Sequence, residues 1–309
     1  MKNKSILIIG LGSIGTRYVE AIYKNNFFNK IYFFDKEKIS KKITKKNKKN
    51  LKIYFLNNLK KLPSKIDMLI LSTTSKDRLK ILKNILINTK IKFAIIEKVL
   101  GQSLEQLDEF EKIGNKHKNF YVNTLKKNEE IFVFLRKKIK NLILKKIYLK
   151  GYNWNLCCNA IHYIDLFENI VNQKVKSMEF VKEGKWFKSK RKGYLECNGK
   201  LTMFFKKKIY SYLECSKKNK KNILFLEFNN NKKILIDLDK NIYAINNKKK
   251  KFEETYLSKM MPLIIKNTLT FKNNGLTSLQ NSSIQHKKML GALIKNFRPH
   301  KNTKILPIT

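Results

Sequence analysis

A glycine-rich run opens the chain. Ile6-Leu7-Ile8-Ile9-Gly10-Leu11-Gly12-Ser13-Ile14-Gly15 sets GxGxxG directly after an apolar, strand-like segment and directly before a helical one. In that context each glycine has a task. Gly10 permits a tight turn, Gly12 lets the backbone come close to a pyrophosphate, and Gly15 lets helix and strand pack closely. The helix that begins at Ser13 and Ile14 turns free N–H groups and its positive dipole end toward the phosphates. Twenty residues past Gly15, the strand-like Ile31-Tyr32-Phe33-Phe34 ends in Asp35. A carboxylate there accepts hydrogen bonds from the adenosine ribose hydroxyls. It also repels a 2′-phosphate, which favours NAD over NADP, although Lys36 and Lys38 are placed to offset the repulsion.

Two further groups have the residue types for a reaction. Ile95-Ile96-Glu97-Lys98 ends a β-like run, and ligands of open α/β sheets bind outside the carboxyl ends of the strands. The bland alternative for Lys98 is a solvated surface charge. Asn159-Ala160-Ile161-His162-Tyr163-Ile164-Asp165 reads as helical, which puts His162 and Asp165 on one face at i and i+3. An imidazole can exchange a proton with a hydroxyl or carbonyl at neutral pH; the commoner fate of a lone histidine is to pack or to cap. His117, His286 and His300 are scattered, and Cys157, Cys158, Cys197 and Cys215 contain no CxxC. Neither a metal site nor a disulfide framework is expected.

Positioning these residues requires two kinds of element order. Up to about residue 123, short β-like runs alternate with helical ones, the pattern of a parallel sheet covered by helices. The expected strands are Ser5 to Ile9, Lys30 to Phe34, Leu51 to Phe55, Met68 to Leu71, Phe93 to Ile96 and Phe120 to Val122, with helices near Ile14 to Asn25, Lys76 to Asn88 and Leu104 to His117. After a basic helix at about Lys126 to Lys140 and a strand at Leu142 to Lys150, a short helix near Asn159 to Val171 opens a β-rich stretch. Its five runs, from Val175 to Leu238, are joined by Asn/Lys-rich turns and suggest a largely antiparallel sheet. Helices near Glu254 to Thr270 and Ser278 to Phe297 close the chain. The expected fold is α/β: a doubly wound parallel Rossmann domain over 1–123, and over 124–309 an α+β domain with an open, largely antiparallel sheet.

Composition narrows the function classes. Sixty-eight Lys and Arg against 23 Asp and Glu give a net charge of +45 over 309 residues, with 42% hydrophobic residues. That apolar content can build a core, so global disorder is excluded. Lysine is spread through nearly every stretch beside Asn and Ile, as in Lys41 to Asn50, while arginine, the better base reader, is scarce. Diffuse charge of this kind speaks of surface solvation and weak attraction to polyanions, not a specific nucleic-acid site. No apolar run approaches the roughly 20 residues of a membrane-spanning helix. The N-terminal residues have no leader-like pattern, so the expected location is the cytoplasm.

The glycine loop after the first strand, Glu97-Lys98 after the fifth, and the HxxD helix from His162 to Asp165 before a β-rich second domain resemble the Gfo/Idh/MocA family of nicotinamide-dependent oxidoreductases. The final helix, with Ser278-Leu279-Gln280 leading to His286-Lys287, is similar to that family's C-terminal end. The resemblance implies hydride transfer between a nicotinamide and a sugar or nucleotide-sugar, a family role that often serves surface-polysaccharide precursors. It implies Lys98 as the lysine that positions and polarises the reacting oxygen, His162 as the proton-transfer histidine, Thr73, Thr74 and Glu97 beside the cofactor, Asn159 and Asp165 beside the substrate, and a homo-oligomer formed through the C-terminal sheet. Three positions depart from the pattern. Val99 stands where the family has proline after Glu-Lys, Cys158 where many members have an acid four residues before the histidine, and Arg78 about where a histidine follows the fourth strand. The competing expectation is a dinucleotide-binding member with altered chemistry that serves as a sensor or assembly partner.

Overall fold

The computed structural model describes residues 4–37, 51–297 and 304–309. Lys38, the lysine tract from Lys41 to Asn50, His300 and the first three residues lie outside the described residues. The chain divides into two compact units. The first comprises Met1–Gly101, Glu109–Asn123 and Thr255–Ser283, the second Gln102–Asp108, Thr124–Glu254 and Ile284–Thr309. The units are thus not two consecutive stretches: the segment from Thr255 packs with the N-terminal sheet, far from it in sequence.

In the first unit, β1 (Ser5–Ile9), β2 (Lys30–Phe34), β3 (Lys52–Leu56), β4 (Lys65–Leu71), β5 (Lys90–Ile96) and β6 (Phe120–Val122) are parallel, and the short closing strand β15 (Thr277–Ser278) pairs antiparallel with β6. Their spatial order is β15-β6-β5-β4-β1-β2-β3, the doubly wound arrangement whose strand order reverses beside β1. Parallel strands are buried on both faces, so their sequences read as unbroken apolar runs; Ile6 to Ile9, Leu69 to Leu71 and Ala94 to Ile96 are no more than 1% exposed. Helices α1 (Ser13–Tyr23) and α2 (Ser75–Asn88) follow β1 and β4. Helix α3 (Leu104–Lys116) runs between β5 and β6.

The second unit holds the 3₁₀ turn Leu125–Asn128, α4 (Glu130–Ile139), β7 (Leu144–Gly151), α5 (Leu156–Val171) and β8 (Ser177–Lys188), then β9 (Leu195–Phe204), β10 (Tyr210–Cys215), β11 (Ile223–Phe228), β12 (Lys233–Asp237), β13 (Ile242–Ile245) and β14 (Lys248–Lys251). The sheet order is β14-β13-β12-β11-β7-β10-β9-β8. Every pair is antiparallel except β7 with β10. The period-two alternation of β7 and β11 buries Ile147, Leu149, Leu224 and Leu226 and turns Tyr148 and Phe225 to the opposite face. There Tyr148 stacks between Tyr212, at 4.8 Å, and Phe225, at 5.0 Å. Helix α6 (Leu257–Leu269) belongs to the first unit, and α7 (Leu279–Ile294) ends the helical sequence.

Three local departures from the expected elements have physical causes. Helix α5 starts at Leu156, not Asn159, because left-handed Asn155 (φ 56) turns the chain into the helix and a carboxylate from β9 receives its first N–H groups. The expected helix at Lys126 begins as a 3₁₀ turn, and α4 proper starts at Glu130. Strands β13 and β14 were hidden by lysine and asparagine: the hairpin turn places Asn246 and Asn247 at positive φ, and all four residues of β14 are exposed lysines.

Candidate functional site

The first unit shapes the glycine loop through close backbone approach. Gly10 has φ +86, and a Cβ on it would stand 2.8 Å from Ser72 C and Thr73 N, at the end of β4. A Cβ on Gly15 would lie 1.9 Å from the carbonyl oxygen of Gly10. Both positions therefore exclude side chains for packing reasons. Gly12 differs: a Cβ there would meet nothing within 4 Å. It is the N-cap of α1 and caps with no side chain, so the start of that helix is open to an anion.

Four contacts hold the loop in place. Gly10 N donates to Phe34 O at 3.0 Å, Ser72 Oγ donates to Ile9 O at 3.0 Å and Gly10 O at 2.6 Å, and Leu11 N donates to Asp35 Oδ2. The other oxygen of Asp35 accepts from Glu37 N at 3.0 Å. The acid expected to face a ribose is thus in direct contact with the glycine loop, and each carboxylate oxygen retains acceptor capacity. Beside it Lys36 Nζ pairs with Asp77 Oδ2 at 2.7 Å. Thr73 and Thr74 are half-buried between β4 and α2. Thr73 Oγ1 is buried and makes no hydrogen bond among the described residues. A buried hydroxyl with unused capacity beside an open, anion-attracting helix start fits a dinucleotide with its ribose at the end of β4.

Lys98 is half-buried in the loop that follows β5, between Glu97 and the fully packed Val99 and Leu100. Glu97 is 6% exposed, and its carboxylate accepts from Tyr18 Oη at 2.7 Å and from Asn123 Nδ2. Its side chain therefore ties α1 and the end of β6 to the loop from within the unit. Burial and the adjacent Glu97 push the Tyr18 hydroxyl well above its usual range, so it stays a donor. The Lys98–Val99 peptide is cis. Arg78, 1% exposed on α2, donates one guanidinium nitrogen to Val99 O and another to Thr73 O, joining the loops after β4 and β5.

In the second unit His162 and Asn159 are half-buried on α5. Asn159 Nδ2 donates to Trp154 O at 2.7 Å and so fixes the turn that enters the helix. Asp165, one turn past His162, is 3% exposed. Its carboxylate accepts from Thr124 Oγ1 at 2.8 Å and Gln285 Nε2 at 3.1 Å, and lies 3.1 Å from Lys127 Nζ. These partners make Asp165 a buried anchor for α5. Glu196 of β9, 3% exposed, accepts from Cys157 N at 2.9 Å and Cys158 N at 3.0 Å. It places a carboxylate group at the positive end of the helix that carries His162. Cys157 is fully buried and its thiol is pushed well above the usual range by that burial, so it remains protonated and is no nucleophile. None of the four cysteines is in a disulfide, and among the described residues no group of His, Cys, Asp and Glu is placed to hold a metal.

Arg78, Asp77, Lys127 and Glu196 were not singled out as site residues by sequence reasoning. For Arg78 the available signal was its type: in a chain where lysine fills nearly every basic position, a retained arginine marks a place that needs a planar fork. Glu196 and Lys127 are joined to α5 by long-range pairing that no local pattern records.

No sequence-family model matches the chain, and no curated protein does. Solved structures do match its fold. Over 96% of this chain and 97% of the other, it superposes on the UDP-N-acetylglucosamine 3-dehydrogenase GnnA from Acidithiobacillus ferrooxidans with a TM-score of 0.69 at 10% identity. Biliverdin reductase from Synechocystis, solved with biliverdin and NADP⁺, matches over 94% of this chain and 98% of its own, with a TM-score of 0.71 at 10% identity. The chain therefore has the two-part α/β fold seen in these oxidoreductases. No described helix is long and apolar enough to cross a membrane.

Proposed function

We propose that this protein is an NAD-linked oxidoreductase of the Gfo/Idh/MocA type, acting on a hydroxyl or carbonyl carbon of a sugar or nucleotide-sugar. The observation that carries this reading is the open start of α1 behind Gly12, with Asp35 bonded to the same loop. The likeness of fold to a nucleotide-sugar dehydrogenase supports the substrate class. A reaction that draws on a nicotinamide pool agrees with a cytoplasmic location.

Each residue then has a part. The backbone of Gly12, Ser13 and Ile14 binds the pyrophosphate, Asp35 accepts from the adenosine ribose, and Thr73 and Thr74 line the second ribose. Glu97 holds the Lys98 loop. When bound, the nicotinamide supplies the hydride acceptor or donor. Lys98 donates a hydrogen bond to the reacting oxygen and stabilises negative charge as it develops there. His162 takes the proton that a hydroxyl loses on oxidation, or returns it on reduction. Asn159 orients the substrate, and Asp165 and Glu196 keep α5 in position.

The open face of the second sheet serves self-association. Its central row of Tyr212, Tyr148 and Phe225 is flanked by charges of both signs, including the Lys146–Glu227 pair at 3.2 Å. Such a mixture permits a symmetric contact despite the basic chain.

The test is a hydride-transfer screen of the purified protein against nucleotide-sugars and free sugars, followed by reduced-nicotinamide absorbance in both directions. Turnover with a sugar nucleotide is expected. Dinucleotide binding without turnover on any sugar would replace the enzyme with a binding protein of the same fold.

A further inference from the structure

We infer that Asp77 is a specificity residue for the cofactor, acting by withdrawing Lys36 from the site that an adenosine 2′-phosphate would occupy. The inference rests on the dinucleotide reading above and deepens it.

Two features of the first unit lead here. Lys36 directly follows Asp35 at the carboxyl end of β2, the place where a basic side chain in a dinucleotide fold accommodates a 2′-phosphate. Taken alone, the sequence therefore sends a mixed message: an acid that repels the phosphate next to a lysine that attracts it. The structure separates the two. Asp35 is bonded to the glycine loop through Leu11 N, whereas Lys36 Nζ lies 2.7 Å from Asp77 Oδ2, on the first turn of α2.

A paired ammonium presents a dipole where a free one presents a charge, and a dipole attracts a dianionic phosphate far less. The same carboxylate adds its own repulsion. Both effects favour NAD. The hydrogen bond from Lys36 holds the Asp77 carboxyl below its ordinary range, so the pair is intact at neutral pH and is lost only when the acid protonates at strongly acidic pH. Lys76 and Lys80 also act on Asp77 electrostatically, so the test must isolate Lys36 from them. The two partners are 67% and 37% exposed, which keeps the expected effect modest and dependent on salt.

The experiment titrates NADH and NADPH against the full-length protein and three variants at low ionic strength, reading quenching of protein fluorescence. In Asp77→Asn the NADPH to NADH affinity ratio should rise about fivefold. Adding Lys36→Ala to Asp77→Asn should abolish most of that rise, and Lys36→Ala alone should leave the ratio nearly unchanged. The variants sit on an exposed surface, and thermal melts check that they fold.

An unchanged ratio in Asp77→Asn overturns the inference while the wild type still binds NADH. A rise that persists in the double variant overturns it too, since Asp77 would then act by its own charge alone. A wild type that binds neither dinucleotide overturns the dinucleotide reading itself, and the inference with it.

Discussion

The guanidinium of Arg78 donates to the main-chain carbonyl of Val99, the residue that follows Lys98. Its second arm reaches Thr73 O at the end of the neighbouring strand. One buried side chain thus sets the spacing of two loops that carry expected site residues. Lysine keeps the charge but cannot fork to two carbonyls. Arg78→Lys should lower stability by about 2 kcal/mol, seen as a melting temperature lower by about 4–8 °C. A melting temperature within a degree of wild type would show that the fork holds nothing.

Asp165 is the buried counter-charge of Lys127 and accepts from Thr124 and Gln285. Replacing it with Asn leaves the Lys127 ammonium facing a neutral amide inside the unit. Breaking such a pair from one side costs about 3–5 kcal/mol. Chemical denaturation of Asp165→Asn should show a loss of that order. Wild-type stability combined with a raised KM would instead place Asp165 on the substrate.

Lys98→Met should reduce turnover sharply while NADH affinity changes little, because the loss falls on the reacting oxygen and not on the phosphate-binding loop. Steady-state kinetics beside an NADH titration separates these effects. Unimpaired turnover would remove Lys98 from the reaction.

His162→Ala should cut turnover by about 10²–10⁴-fold, the range of a general acid–base group. The deficit should shrink with substrates whose reacting hydroxyl is more acidic. A deficit independent of that acidity would assign the histidine to packing.

Much of this architecture was legible in the residues, and the reason differs between the two units. Parallel strands such as Ile6 to Ile9 and Phe93 to Ile96 are apolar on both faces, so their runs stand out even in a lysine-rich chain. The antiparallel sheet shows one face to solvent, and there lysine and asparagine mask the pattern. Strand β14 consists of four exposed lysines and carries no sequence mark of a strand; on a sheet edge, such charges also discourage further pairing. The glycine loop, Asp35, Lys98 and His162 could be proposed from sequence because the chemistry expected of them depends on type and local spacing. The supports of the site were not. Glu196 meets α5 from 38 residues away, Gln285 meets Asp165 from 120, and the Lys36–Asp77 pair spans 41. Contacts at such separations are set by the tertiary fold, which no window of sequence contains.

The most direct test of the account uses Gly12, where the structure leaves room for a side chain and the proposed function does not. Its φ of −64 suits any residue, and a Cβ would touch nothing within 4 Å. Gly12→Val should therefore fold and melt like the wild type, yet fill the space the pyrophosphate needs. The measurement is a calorimetric titration of NADH into wild type and Gly12→Val. Saturable one-site binding is expected for the wild type, and at least a hundredfold weaker binding, about 3 kcal/mol, for the folded variant. Equal NADH affinity in the two proteins, or none in the wild type, would contradict it.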